Sequence, residues 1–133
     1  MSKVIESSKQ TVLFSGRFNV PHPGHWLSIL RLLKTFKRVV VVVLDYEGRM
    51  YPACYSQQVF GEMVDLSGLG DRVDIEINTT HFGEIDQEEL DSFGCHAYAA
   101  GNIDVLHHVS SMMPCVYIDR AYDYAASNYK RSS

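Results

Sequence analysis

Cysteine is scarce in this sequence and does not pair. Cys54, Cys95 and Cys115 are an odd number at wide spacings, which argues against a disulfide scaffold. Without a paired-cysteine motif or a His-Glu-x-x-His, the chain also lacks the patterns of a zinc site. Each cysteine lies in or near an apolar stretch, so all three read as small buried residues of a reducing compartment. No apolar run reaches 18 residues and the N-terminus has no apolar signal core. Neither membrane insertion nor secretion is therefore expected, and the expected location is cytoplasmic. Basic charge is in short supply: 12 Lys and Arg face 16 Asp and Glu, a formal net charge of −4. That balance argues against a general nucleic-acid binder, while leaving room for a local basic pocket. Repeats, low-complexity tracts and interdomain linkers are missing too. The 133 residues read as one domain, 1–133, with 1–10 a loose polar lead-in. With 46% hydrophobic and 21% charged residues, the chain is an ordinary globular one, long enough to bury a core.

What is present alternates. Residues 11–15, TVLFS, form an apolar run that reads as a buried strand. Trp26, Ile29, Leu30, Leu33 and Phe36 then follow helical spacing, which predicts a helix over 24–36. Residues 38–44, RVVVVVL, are the clearest strand: a continuous β-branched run implies burial on both faces, hence a central parallel position. A loop is expected over 45–55, a helix over 56–66 with Ser56 as its N-cap, and a stop at the glycines of 67–71. Residues 73–77 alternate as a strand with one wetter face. A loop over 78–84, a helix over 86–93 capped by Asp86, a strand over 96–100, a helix over 103–112 and a final strand over 115–118 complete the pattern. Strict strand–helix alternation implies an α/β, doubly wound, Rossmann-like sheet. In such a sheet, ligands bind at the carboxyl ends of the strands.

The chemistry concentrates where the first strand hands over to the first helix. There the sequence reads Gly16-Arg17-Phe18-Asn19-Val20-Pro21-His22-Pro23-Gly24-His25. Residues three apart in a first helical turn face the same side, so His22 and His25 can address one ligand. The backbone N–H groups of the helix start, near Gly24 and His25, attract phosphate together with the helix dipole. Two imidazoles there can donate to phosphate oxygens or carry positive charge to a transition state. Gly16 would permit close backbone approach. A zinc site, a turn with two surface histidines and a general-base role are the competing readings of the pair. Phosphate stabilisation needs no further partner and fits the helix start better.

The His22-Pro23-Gly24-His25 stretch resembles the HxGH signature of the nucleotidyltransferase superfamily, which contains cytidylyltransferases and adenylyltransferases. Residues 11–44 resemble that family's first βαβ unit, and the likeness extends over roughly 11–131. It implies a five-stranded parallel sheet of order 3-2-1-4-5. Within the superfamily, the tail resembles cytidylyltransferases of the glycerol-phosphate type: Cys115-Val-Tyr-Ile-Asp-Arg120 is similar to their last strand and its arginine. The stretch 125–131 is similar to their Ser-Thr-rich helix start. The resemblance implies that Arg120 binds phosphate or the nucleotide, that Ser127 binds the triphosphate, and that Gly16, Arg17, Phe18 and Gly24 line the nucleotide site. Gly101-Asn102 is similar to the family's Gly-Asp pair after the fourth strand, where glycine lets the nucleotide approach. Val73-Asp74 is similar to a Val-Asp segment whose aspartate serves the subunit interface or the second substrate; otherwise Asp74 is a polar residue on an edge strand. Arg49 and Lys130 are further candidate phosphate or acceptor contacts, with solvated charges as the alternative for each.

Where the sequence departs from that pattern, it modifies the expectation. Gly-Thr-Phe-Asp is Gly-Arg-Phe-Asn here, and arginine at this position is commoner in some nicotinamide-mononucleotide adenylyltransferases. The lysine-rich loop after the second strand is reduced to Arg49, an arginine of the next helix is replaced near Gln57 or Gln58, and most tail hydroxyls are alanine. The expected activity is transfer of a nucleotidyl group, CMP first and AMP as the alternative, from CTP or ATP to a small phosphorylated acceptor, releasing pyrophosphate. Mg²⁺ is expected with the triphosphate, keeping several waters and few protein ligands. A homodimer is implied by the resemblance alone. A non-catalytic nucleotide-binding domain is the second reading, motivated by the missing basic and hydroxyl groups. The third is a different doubly wound enzyme whose histidine pair is coincidental.

Overall fold

The computed structural model describes residues 10–19, 21 and 23–118. Five strands, β1 (Thr11–Gly16), β2 (Arg38–Leu44), β3 (Val73–Asn78), β4 (Ala97–Ala100) and β5 (Cys115–Tyr117), alternate with four helices, α1 (Pro23–Leu32), α2 (Ala53–Ser67), α3 (Gln87–Asp91) and α4 (Ile103–Val109). The strands form one parallel sheet in the order β3-β2-β1-β4-β5. This is the expected doubly wound topology and strand order.

The valine run explains the centre of the sheet. Side chains alternate across a strand, so Val39, Val41 and Val43 enter one core with Val12, Phe14, Ile29, Leu32, Phe60 and Val64. Val40 and Val42 enter the other with Leu13, Leu90, Tyr98, Leu106 and Val109. Thus α1 and α2 cover one face and α3 and α4 the other. On the edge strand β3, Val73, Ile75 and Ile77 pack on the α1–α2 side, leaving Asp74 and Glu76 on the wetter face.

Local chemistry sets most of the ends. Gly68 caps α2 in the left-handed region, φ 70°, a conformation glycine adopts without Cβ strain. Asp86 caps α3 by accepting from the Glu89 amide at 2.8 Å. Arg72 donates to the Leu33, Phe36 and Lys37 carbonyls beyond α1. Here the helix proper stops at Leu32 rather than Phe36; hydrogen-bonded turns carry on, and Leu33 and Phe36 stay buried. Likewise α4 stops at Val109, and 110–112 are turn.

Two expectations are corrected. Helix α2 begins at Ala53, not at Ser56, with Pro52 at its N-cap and no side-chain capping bond. Ser56 is a buried residue of the first turn, and its hydroxyl leaves the helix to donate to the Phe18 carbonyl. A tertiary acceptor has claimed the group that looked like a cap. Cys54, expected to be buried, is exposed, while Cys95 and Cys115 are partly buried and all three thiols are free.

Candidate functional site

Strand β1 pairs with β2 on one side and β4 on the other, and the connections leaving the carboxyl ends of the neighbours β1 and β4 run to opposite faces of the sheet, into α1 and α4. This is the topological switch point, where a crevice forms. A cleft of about 370 Å³ occupies it, within the range of small-molecule sites. Ser15, Gly16 and Arg17 of β1 and its loop form one wall, and Asn102 and Val105 at the start of α4 another. Its third wall is the loop after β3, with His81, Phe82, Gly83 and Glu84.

The floor is a buried hydroxyl pair. Tyr98 is fully buried, its ring stacks on Phe82 with centroids 5.3 Å apart, and its hydroxyl is hydrogen-bonded to Ser15 Oγ. Burial pushes the Tyr98 phenol upward, only partly offset by the Ser15 hydrogen bond. The pair is therefore neutral and can offer both a donor and an acceptor upward.

On the α1–α2 side of Gly16 the loop is built around Phe18. Its backbone has φ 43°, a region L-residues seldom adopt, and its ring folds back so far that a Cβ on Gly16 would lie 2.8 Å from Phe18 Cζ. The glycine is thus required by the phenylalanine two residues on. The Phe18 ring meets Phe14, Phe60 and His25 edge-on, at 5.3, 5.1 and 4.9 Å between centroids. His25, partly buried in the first turn of α1, is therefore backed by an aromatic wall. Gly24 is buried in the same turn.

Arg49 is turned into the protein. Its Nε donates to the Tyr51 carbonyl at 2.7 Å and Nη1 to the carbonyls of Leu44, at 2.8 Å, and Arg17. Nη2 donates to the Phe18 carbonyl at 3.3 Å and to Ser56 Oγ at 3.0 Å. A guanidinium has five N–H groups, and all five are engaged within the protein. Arg17, by contrast, is exposed at the cleft, with its guanidinium 5.3 Å from the Tyr46 ring centroid.

Of the other residues singled out from sequence, Asn102 lines the cleft and caps α4, accepting from the amides of Asp104 at 2.9 Å and Val105 at 3.3 Å. Its side-chain carbonyl is therefore used in the cap, which leaves the amide N–H groups to meet a ligand. Gly101 immediately precedes it, after β4. Asp74 is placed elsewhere: it is the second residue of β3, at the amino end of the sheet, and forms a half-exposed ion pair with Arg38. It is therefore not among the residues of the carboxyl-end cleft. His22, Arg120, Ser127 and Lys130 lie outside the described residues. Sequence patterns did not single out His81, Glu84, Ser15 or Tyr98. A signal existed for the first two, since they follow the third strand at its carboxyl end, where this fold gathers ligand contacts.

No family model matches the chain, and no curated protein does. Among solved structures, the chain is similar to a bifunctional NMN adenylyltransferase/ADP ribose pyrophosphatase from Francisella tularensis. The TM-score is 0.67 at 18% identity, covering 84% of this chain and 38% of that one. A second crystal structure of such a protein from Francisella tularensis, complexed with AMP and a manganese ion, matches with a TM-score of 0.65 at 18% identity, over 93% of this chain and 43% of that one. The chain spans less than half the length of these bifunctional proteins. The likeness establishes the fold. No helix among the described residues is long and apolar enough to cross a membrane.

Proposed function

We propose that the chain is a nucleotidyltransferase of the HxGH type. A phosphate oxygen of a small acceptor attacks the α-phosphorus of a nucleoside triphosphate, the α–β bridging bond breaks, and pyrophosphate leaves with its electron pair. The observation that carries this reading is the meeting of Gly16, Arg17 and Asn102 in one cleft at the switch point, beside a helix whose first turn carries His25. The likeness in fold to NMN adenylyltransferase-containing proteins supports it.

Such transfer asks for positioning and charge stabilisation rather than covalent chemistry. His22 and His25 contact the transferring phosphate and its leaving group, with the amides of the α1 start beside them. Arg120 and Ser127 hold the β and γ phosphates. Gly16, Arg17, Phe18 and Gly24 shape the nucleotide side by their backbone, and Gly101 and Asn102 close it. The acceptor takes the remaining wall, where His81 and Glu84 offer an imidazole and a carboxylate. A divalent ion, Mg²⁺ by expectation, would arrive with the triphosphate and supply positive charge against its phosphates. No group of three or more His, Cys, Asp or Glu could hold a metal among the described residues, and none of these residue roles depends on a protein-held ion.

The tail resemblance favours CTP; Arg17, and the name of the structural neighbours, favour ATP. A test supplies purified protein and Mg²⁺ with either triphosphate and an acceptor panel: glycerol 3-phosphate, phosphocholine, phosphoethanolamine, sugar phosphates, nicotinamide mononucleotide and phosphopantetheine. Pyrophosphate release with one pair identifies triphosphate and acceptor together. One observation favours a non-catalytic nucleotide-binding domain as the second reading: with Arg49 fully engaged, the β2–α2 loop supplies no phosphate ligand through it. That reading predicts a thermal shift with CTP or ATP and no pyrophosphate from any pair.

A further inference from the structure

We propose that Arg49 is a positioning residue: it locks the β1–α1 loop so that Phe18 holds the His25 imidazole in one orientation. The proposal rests on the transferase role of His25.

The acceptors of Arg49 come from four separate places. They are the loop after β1 (Arg17 and Phe18 carbonyls), the end of β2 (Leu44), the residue before Pro52 (Tyr51) and the first turn of α2 (Ser56). One planar fork therefore joins the β1–α1 loop to the β2–α2 connection and to the start of α2. The Phe18 carbonyl receives two donors, Arg49 Nη2 and the Ser56 hydroxyl. Those bonds oppose the relaxation of a non-glycine residue held at φ 43°, the condition under which a strained backbone persists. Two further ties run alongside, from Asn19 Nδ2 to Tyr46 Oη at 2.7 Å and from the Met50 amide to Asn19 Oδ1 at 3.4 Å.

The consequence reaches His25 through the ring. With its carbonyl pinned, Phe18 stands over Gly16 and presents its edge to Phe14, Phe60 and the imidazole. Releasing the carbonyl lets φ relax and the ring leave, and the imidazole loses the nearer ring against it, Phe60 lying at 6.4 Å. All five partners of Arg49 are neutral. The chemistry used is thus its fixed, planar five-donor fork, and a lysine, with three donors on one atom, cannot reproduce it.

The test uses Arg49→Lys, which keeps the charge, and Ser56→Ala, which removes one donor from the Phe18 carbonyl. Imidazole nitrogen–proton correlation spectra report each histidine, and His25 is assigned by the loss of its signals in His25→Ala. Both variants are expected to move the His25 signals while those of His107 stay in place. In Arg49→Lys, kcat is expected to fall about 10–100-fold, the scale of a misplaced catalytic group, with KM for the triphosphate within about threefold. His25 signals unmoved in both variants would overturn the proposal. So would a KM raised about tenfold with kcat and the His25 signals unchanged, the mark of a direct phosphate ligand. The spectra decide the point even for a protein that turns over no substrate, an outcome that would overturn the transferase reading alone. If Arg49→Lys does not fold, Ser56→Ala carries the test.

Discussion

Gly16 illustrates how a residue chosen for one reason can be held by another. The sequence suggested a glycine that lets a ligand approach; the structure adds an internal demand, because the Phe18 ring occupies the space of its missing Cβ. Gly16→Ala should therefore lower stability without any ligand, by about 1–3 kcal/mol as for other overpacked sites. Urea denaturation checks this, and an unchanged midpoint would mean that the ring moves aside freely. The thiols make a second residue-scale case. Cys54 is exposed, whereas burial, with Glu76 adding to it and Arg38 opposing, pushes the Cys95 thiol up to about 11, and burial also raises Cys115. A thiol reagent at pH 8 should label Cys54 first, and mass spectrometry of the partly labelled native protein identifies the site. Cys95 and Tyr98 both have folded-state values above their unfolded ones. Their contributions to stability are therefore complete below about pH 9, near the unfolded thiol value, and are lost as pH rises from there. The melting temperature should fall above pH 9, and less steeply when Cys95 is replaced by alanine.

At the scale of elements, legibility followed the range of the interactions involved. The valine strand, the Gly68 stop and the Asp86 cap were readable because neighbours within a few residues decide them. Asp86→Ala should cost about 1 kcal/mol, the usual worth of such a cap, measurable by thermal denaturation with no change at the cleft. Asn102→Ala should cost a similar amount and also weaken ligand binding, since that side chain serves both the α4 cap and the cleft; calorimetry with CTP or ATP separates the two losses. The start of α2 was not legible. Pro52 and its neighbours look like a loop, and the Ser56 hydroxyl that suggested a cap is spent on Phe18, 38 residues away in sequence. The partners of Arg49 were not legible for the same reason: a lone loop cation shows no acceptors in the sequence until the fold delivers distant carbonyls to it.

For the whole molecule, the alternation of apolar runs contained the architecture, since only a two-sided sheet accommodates a strand buried on both faces. The strand order came from the family resemblance, and the structure has it. The site was legible in its position and less so in its parts. Gly16, Arg17 and Asn102 converge on the cleft, His25 stands on the neighbouring aromatic wall, and Asp74 sits at the far end of the sheet. His81, Glu84 and the Ser15–Tyr98 pair became visible only when four segments came together, because a cleft is made by separate stretches and no one of them carries its signature.

The most direct measurement is the identity and rate of the phosphate released when the protein, Mg²⁺, a triphosphate and its acceptor are combined, for the native chain and for His25→Ala. Attack at the α-phosphorus predicts pyrophosphate, with the rate in His25→Ala lower by about 100–1,000-fold, as for loss of one charge-stabilising donor. Orthophosphate as the first product, or a His25→Ala rate equal to that of the native chain, would contradict the transferase mechanism.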